Sequence, residues 1–197
     1  MKRFLQLATF ALFLAPTAAL AHVGIGNTSG FMHGFIHPLT GLDHQLAIIL
    51  VGVFAYQLGG RALWLVPLTF VAAMALGGFL GVAGIPVPFV EIGIALSVIV
   101  LGAVVAFGIK APVALAMGAV GLFAIFHGHA HGSEMPLDAP GFEYGIGFML
   151  ATAVLHAVGI GIGILVGMTS RVLGKNVYRV AGGLASAAGL ALLLGYV

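Results

Sequence analysis

Two stretches of the sequence gather imidazole and carboxylate side chains at spacings that could hold a cation. The first reads His33-Gly-Phe-Ile-His37-Pro-Leu-Thr-Gly-Leu-Asp43-His44, and the second Phe126-His127-Gly-His129-Ala-His131-Gly-Ser-Glu134. In the second, His127, His131 and Glu134 fall at i, i+4 and i+7. On a helix that spacing puts two imidazoles and a carboxylate on one stripe, with His129 on the other side. In the first, Pro38 suits an opening helical turn, where its missing N–H costs nothing. A helix starting there predicts His37 and His44 about two turns apart on one face, with Gly41 leaving room between them. Asp43 is either a ligand itself or the acceptor for the second ring N–H of a histidine, which orients the ring. The chain has no cysteine, so every donor is nitrogen or oxygen. Such donors suit nickel, cobalt, zinc or copper(II), and donor type alone does not choose among them.

Each group also has a plainer reading. The second motif could be a solvated polar loop, and the first a helix cap with interfacial anchors. His33 and His129 stand outside the stripes and are weaker candidates. His156 lies well inside an apolar run. An ionisable group there is costly and marks a functional candidate, although a helix-packing hydrogen bond would also account for it. His22 would gain a free amine beside its ring if it became the N-terminus. Glu91 follows Pro86 and Pro88 and reads as a first-turn acid on a helix dipole.

The elements that must position these residues are membrane helices. Of 197 residues, 61% are hydrophobic and 6% charged, against about 25% charged in soluble domains. So little charge cannot cover a water-facing surface, and the long apolar runs make the lipid bilayer the natural solvent. Lys2 and Arg3, the apolar stretch Phe4–Leu14 and Ala19-Leu20-Ala21 have the form of a signal peptide cleaved after Ala21. Residues 22–197 are then a single transmembrane helical domain. Six apolar stretches follow, at about 37–58, 62–84, 88–109, 111–131, 143–168 and 177–197, each near the roughly 20 residues a bilayer needs. The expected fold is all-α, a polytopic membrane helix bundle.

Charge placement orients it. With the mature N-terminus in the periplasm, Arg61, Lys110, Arg171, Lys175 and Arg179 all fall on the cytoplasmic side of a bacterial inner membrane. Asp43, Glu91, Glu134, Asp138 and Glu143 fall opposite. Without the leader, basic residues equal acids in number, so the alkaline balance does not point to nucleic acid. Gly77-Gly78-Phe-Leu-Gly81 is a close-packing face, either within the chain or between subunits of a homo-oligomer.

At the two polar motifs the chain resembles the HupE/UreJ family of nickel/cobalt transporters. The family's His-Pro, two residues, Gly, one residue, Asp-His is met by His37, Pro38, Gly41, Asp43 and His44. Its Phe-His-Gly-x-Ala-His-Gly-x-Glu is met by Phe126, His127, Gly128, Ala130, His131, Gly132 and Glu134. The run from Gly147 and Phe148 through Thr152 to His156 is similar to the family's later helix. Gln45 and Ile48 stand where the pattern has Leu and Met. The resemblance implies a secondary permease, with the metal as substrate and no prosthetic group. In bacteria such permeases often supply hydrogenase or urease. No Walker-type phosphate loop is present. His37, Asp43, His44, His127, His131 and Glu134 would take the ion at the periplasmic face and His156 would carry it deeper. The alternatives are an intramembrane metal-dependent hydrolase, against which the HExxH pattern is absent, and a membrane metal sensor or accessory protein.

Overall fold

The computed structural model describes residues 30–135 and 140–195, and among them it is all-helical. The expected signal peptide, His22 and Asp138 lie outside the described residues. Seven α-helices follow one another: α1 (Gly30–Ile36), α2 (Leu42–Leu58), α3 (Ala62–Val82), α4 (Val90–Phe107), α5 (Val113–Ser133), α6 (Gly141–Gly167) and α7 (Arg171–Leu193).

Four of these, α3 to α6, are long and apolar enough to cross a bilayer on their own. Helices α1 and α2, joined through a 3-10 turn at His37–Leu39, meet the same test only when counted together as a bent pair. Helix α7 has the length, but its first turns carry Arg171, Lys175 and Arg179. It begins at Arg171 rather than near 177, because Ser170 caps it by accepting from the Leu173 N–H at 3.3 Å. Arg171 and Lys175, which fall outside the expected span, lie in its opening turns.

The expected first span is corrected by the structure. No single helix runs from Pro38 to His44. The chain makes the 3-10 turn, breaks at Thr40 and Gly41, and restarts at Leu42 with a bend of 79°. Gly41 is extended, at φ −88° and ψ 120°, so the helical ladder cannot pass through it. Elsewhere glycine and proline set the ends. Gly59 and Gly60, both at positive φ, reverse the chain into α3. Pro112 and Pro140 precede the first residues of α5 and α6.

Helix α3 packs along α5, α4 along α7, and α6 along both α1 and α2; α2 also meets α3 and α4. Where these pairs meet, glycine lets backbones touch. A Cβ on Gly128 would strike the Met74 carbonyl, and one on Gly77 the Ile125 carbonyl. The Gly77–Gly81 face therefore packs within the chain, against α5. The core holds Ile48, Val51, Val66, Phe70, Val98 and Val120, all at most 1% exposed. Large apolar side chains such as Trp64, Phe79, Leu115 and Leu165 face outward, the inverse of a water-soluble surface.

At one end of the bundle Lys110 donates to the carbonyl of Gln57, near the end of α2 farthest from His44. Arg61 sits at the same end, before α3. The polar motifs gather at the other end, where α2, α4 and α6 begin and α5 finishes.

Candidate metal centre

The imidazoles of the two motifs meet at the histidine end of the bundle. The His37 and His131 ring centroids are 4.6 Å apart, His44 and His131 4.1 Å, and His44 and His127 4.8 Å. The helical stripe on α5 forms as its spacing predicts. His127 and His131 are buried, and Glu134 follows as the C-cap residue, its N–H donating to the Ala130 carbonyl. Across the gap the bent α1–α2 segment delivers His37 from the 3-10 turn and His44 from the first turn of α2. They reach the same neighbour, His131, from either side of the bend. Seven residues of regular helix are not what brings them together.

Asp43 accepts from its neighbour. Its Oδ1 lies 2.7 Å from His44 Nδ1 and 2.8 Å from the His44 backbone N–H. A carboxylate can only accept, so in the neutral ring Nδ1 carries the hydrogen and Nε2 is the bare nitrogen. That Nε2 is buried without a protein partner. A histidine oriented by a carboxylate through one nitrogen, with the other left free, is how proteins commonly present imidazole to a metal. Gly41 supplies the room: a Cβ there would stand 2.9 Å from Asp43 Oδ1 and 3.0 Å from His44 Nδ1.

Glu134 is exposed and reaches toward the opening. Its Oε2 lies 3.9 Å from His37 Nε2. Ligand atoms of His37, His131 and Glu134 lie within 4.8 Å of one another, close enough for one cation to gather them.

Deeper in, Phe70 separates two imidazoles, 5.8 Å from His127 and 5.1 Å from His156 by ring centroid. His156, from the middle of α6, is 2% exposed and neither ring nitrogen has a protein partner. Across His44, His127, His131 and His156, six buried imidazole nitrogens stand unpartnered. Each buried polar atom left unpaired costs about 1–3 kcal/mol. Four of these nitrogens, on His44, His127 and His131, lie at one place, where a bound cation would satisfy one nitrogen per ring.

The structure keeps two candidates out of this group. His129 turns to the other side of α5, its Nε2 2.9 Å from the Ile85 carbonyl. His33 is exposed on α1, its ring tilted against Tyr144 with centroids 6.3 Å apart. Glu91 and Glu143 are exposed in the first turns of α4 and α6.

Three neighbours were not singled out by spacing. Ser97 Oγ lies 2.8 Å from His127 Nε2. Phe148 covers His131 at 4.3 Å. Tyr144, with a buried and unpartnered hydroxyl, stands 6.1 Å from the His37 ring. Ser97 left a signal, as the one hydroxyl side chain in α4. Phe148 entered only through the run similar to the family's later helix, and Tyr144 left no signal, since aromatic residues are common throughout the spans. An apolar cavity of about 430 Å³ opens beside His131, between α3, α5 and α6, with Met74, Phe79, Phe148 and Met149 in its wall.

Comparisons with known proteins bear on the family. The HupE / UreJ protein family matches residues 10–192. The chain is 47% identical over 187 residues to Protein HupE of Rhizobium leguminosarum bv. viciae, covering 95% of this chain and 96% of that protein. No solved structure matches. An all-helical membrane bundle carrying both polar motifs, matched along nearly its whole length, this chain belongs to the HupE/UreJ family.

Proposed function

We propose that the protein is a secondary transporter of a divalent transition metal, with nickel the first choice. The ion enters from the periplasm at the histidine end. The observation that carries this reading is the group of buried, unpartnered imidazole nitrogens at the end of the bundle where His37 and Glu134 remain partly open. A cation meeting that opening exchanges water for imidazole nitrogen step by step. Glu134 and His37 meet it first, with Glu143 adding to the local negative field. His44, His127 and His131 replace more of its hydration shell, and Asp43 steadies His44. His156, beyond Phe70, takes the ion toward the bilayer midplane. Release requires the packed apolar core beneath to part, through movement of the α3–α5 pair against α2 and α6. The basic residues at the opposite end support release on the cytoplasmic side of a bacterial inner membrane.

Imidazole binds metal only when neutral, so protons compete with the ion. Lowering the external pH charges the rings, and uptake falls. The fall sets in below about 6.5, the ordinary imidazole value.

The test is a proteoliposome flux assay over nickel, cobalt, zinc and copper at two pH gradients. Nickel entry is expected in the wild type, with entry lost in His37→Ala and His127→Ala. Wild-type rates in both variants would overturn the site. The apolar cavity beside His131 favours a second reading, a metal-dependent hydrolase acting on an acyl substrate. Lipid turnover that stops on chelation, without ion flux, would select it.

A further inference from the structure

Ser97 is 0% exposed and lies seven residues into α4, where its neighbours are apolar. Its Oγ makes two contacts, 2.6 Å to the Ile94 carbonyl and 2.8 Å to His127 Nε2. A hydroxyl has one hydrogen, and a carbonyl oxygen only accepts. If that hydrogen pointed to His127, two oxygens would face each other at 2.6 Å with nothing between them. The hydrogen therefore goes to Ile94, and a Ser97 lone pair faces Nε2. That contact is attractive only when Nε2 carries the imidazole hydrogen. A neutral imidazole has one N–H, so Nδ1 is then the bare nitrogen. Nδ1 is also the His127 atom that is buried without a protein partner.

We propose that Ser97 is a positioning residue of the metal centre: it holds His127 as the Nε2–H tautomer and turns the Nδ1 lone pair toward the ion. The proposal rests on the reading of this centre as a cation site. Ser97 does for His127 what Asp43 does for His44, at the opposite ring nitrogen. The two rings, 4.8 Å apart and nearly perpendicular at 86°, thus offer lone pairs from different atoms, Nε2 of His44 and Nδ1 of His127. Asp43 brings a negative charge that helps offset the ion. Ser97 fixes its ring without adding another, so the centre gains an oriented donor at no cost in charge.

The experiment uses the full chain in detergent, with nickel as the probe and ¹⁵N-labelled histidine. In metal-free wild type, the His127 signal, assigned by its loss in His127→Ala, reports the Nε2–H form. Ser97→Ala mixes the two tautomers and raises the nickel dissociation constant about 10-fold, the lower end of what loss of an orienting partner costs. Ser97→Thr, which keeps the hydroxyl, restores both readouts. In a His127→Ala background, Ser97→Ala adds nothing further, because its partner is gone. An Nδ1–H signal in the wild type would overturn the proposal, as would an equal loss of affinity in the two backgrounds. Wild-type protein that binds no nickel would instead overturn the transport reading, and the metal-free nitrogen signal would still decide the role of Ser97.

Discussion

At the histidine end of the bundle, four imidazoles stand ring to ring, and two have a nitrogen tied by Asp43 or Ser97. His156 has no such company. It meets Phe70 edge to face and, among the described residues, has neither a hydrogen-bond partner nor a carboxylate against it. The first region has the donors, the orienting partners and the charge to hold an ion. The second offers one unrestrained ring in an apolar wall. The contrast suggests a division of labour: capture needs many fixed donors, whereas onward passage needs a single ring that binds weakly and can turn.

Breaking the capture side gives the largest effect. His131→Ala removes the ring that touches both His37 and His44. It is expected to weaken nickel binding at least about 100-fold, beyond the 10–100-fold cost of losing an orienting partner, as read by calorimetry on detergent-solubilised protein. Retained affinity would dissolve the distinction. His156→Ala should separate binding from movement. Its dissociation constant stays within about twofold of wild type, while proteoliposome flux drops about 10-fold, on the order of 1.4 kcal/mol in the barrier. A parallel loss of both would make His156 part of the capture site. Asp43→Asn keeps the shape but removes the charge and loosens the His44 tautomer. About a 10-fold loss of affinity is expected, measured against Ser97→Ala to rank charged and neutral orienting groups. Smallest of all, His129→Ala changes binding by less than about 0.5 kcal/mol, since that ring faces the Ile85 carbonyl on the other side of α5.

Much of the fold is legible in the sequence because lipid leaves few options. Each long apolar run has to close its own backbone hydrogen bonds, so it becomes a helix. The exception is the Pro38–Gly41 stretch. Proline is compatible with the start of a helix, and nothing in the spacing tells a helix from a 3-10 turn that breaks two residues later. The misread start of α7 has a similar cause, since basic residues at a membrane edge suit a loop and a capped helical turn equally well. At the site, the i, i+4, i+7 stripe on α5 follows from one helix's own period. The partnership of Ser97 and His127 does not, because they are 30 residues apart. Periodicity says which residues share a face; it does not say which faces meet. For the same reason, the sequence left two partners open for the Gly77–Gly81 face, and only packing against α5 selects one.

That packing has a further consequence. Gly128 follows His127 directly, and its α-carbon rests against the Met74 carbonyl. The backbone bearing the donors is thereby seated on another helix with no side chain as cushion. One added methyl at this point, far too small to block a channel and carrying no charge, has nowhere to go except to shift the imidazoles beside it. In the proposed transport reading, the geometry of the donors is thus exposed to mutation at residues that supply no donor.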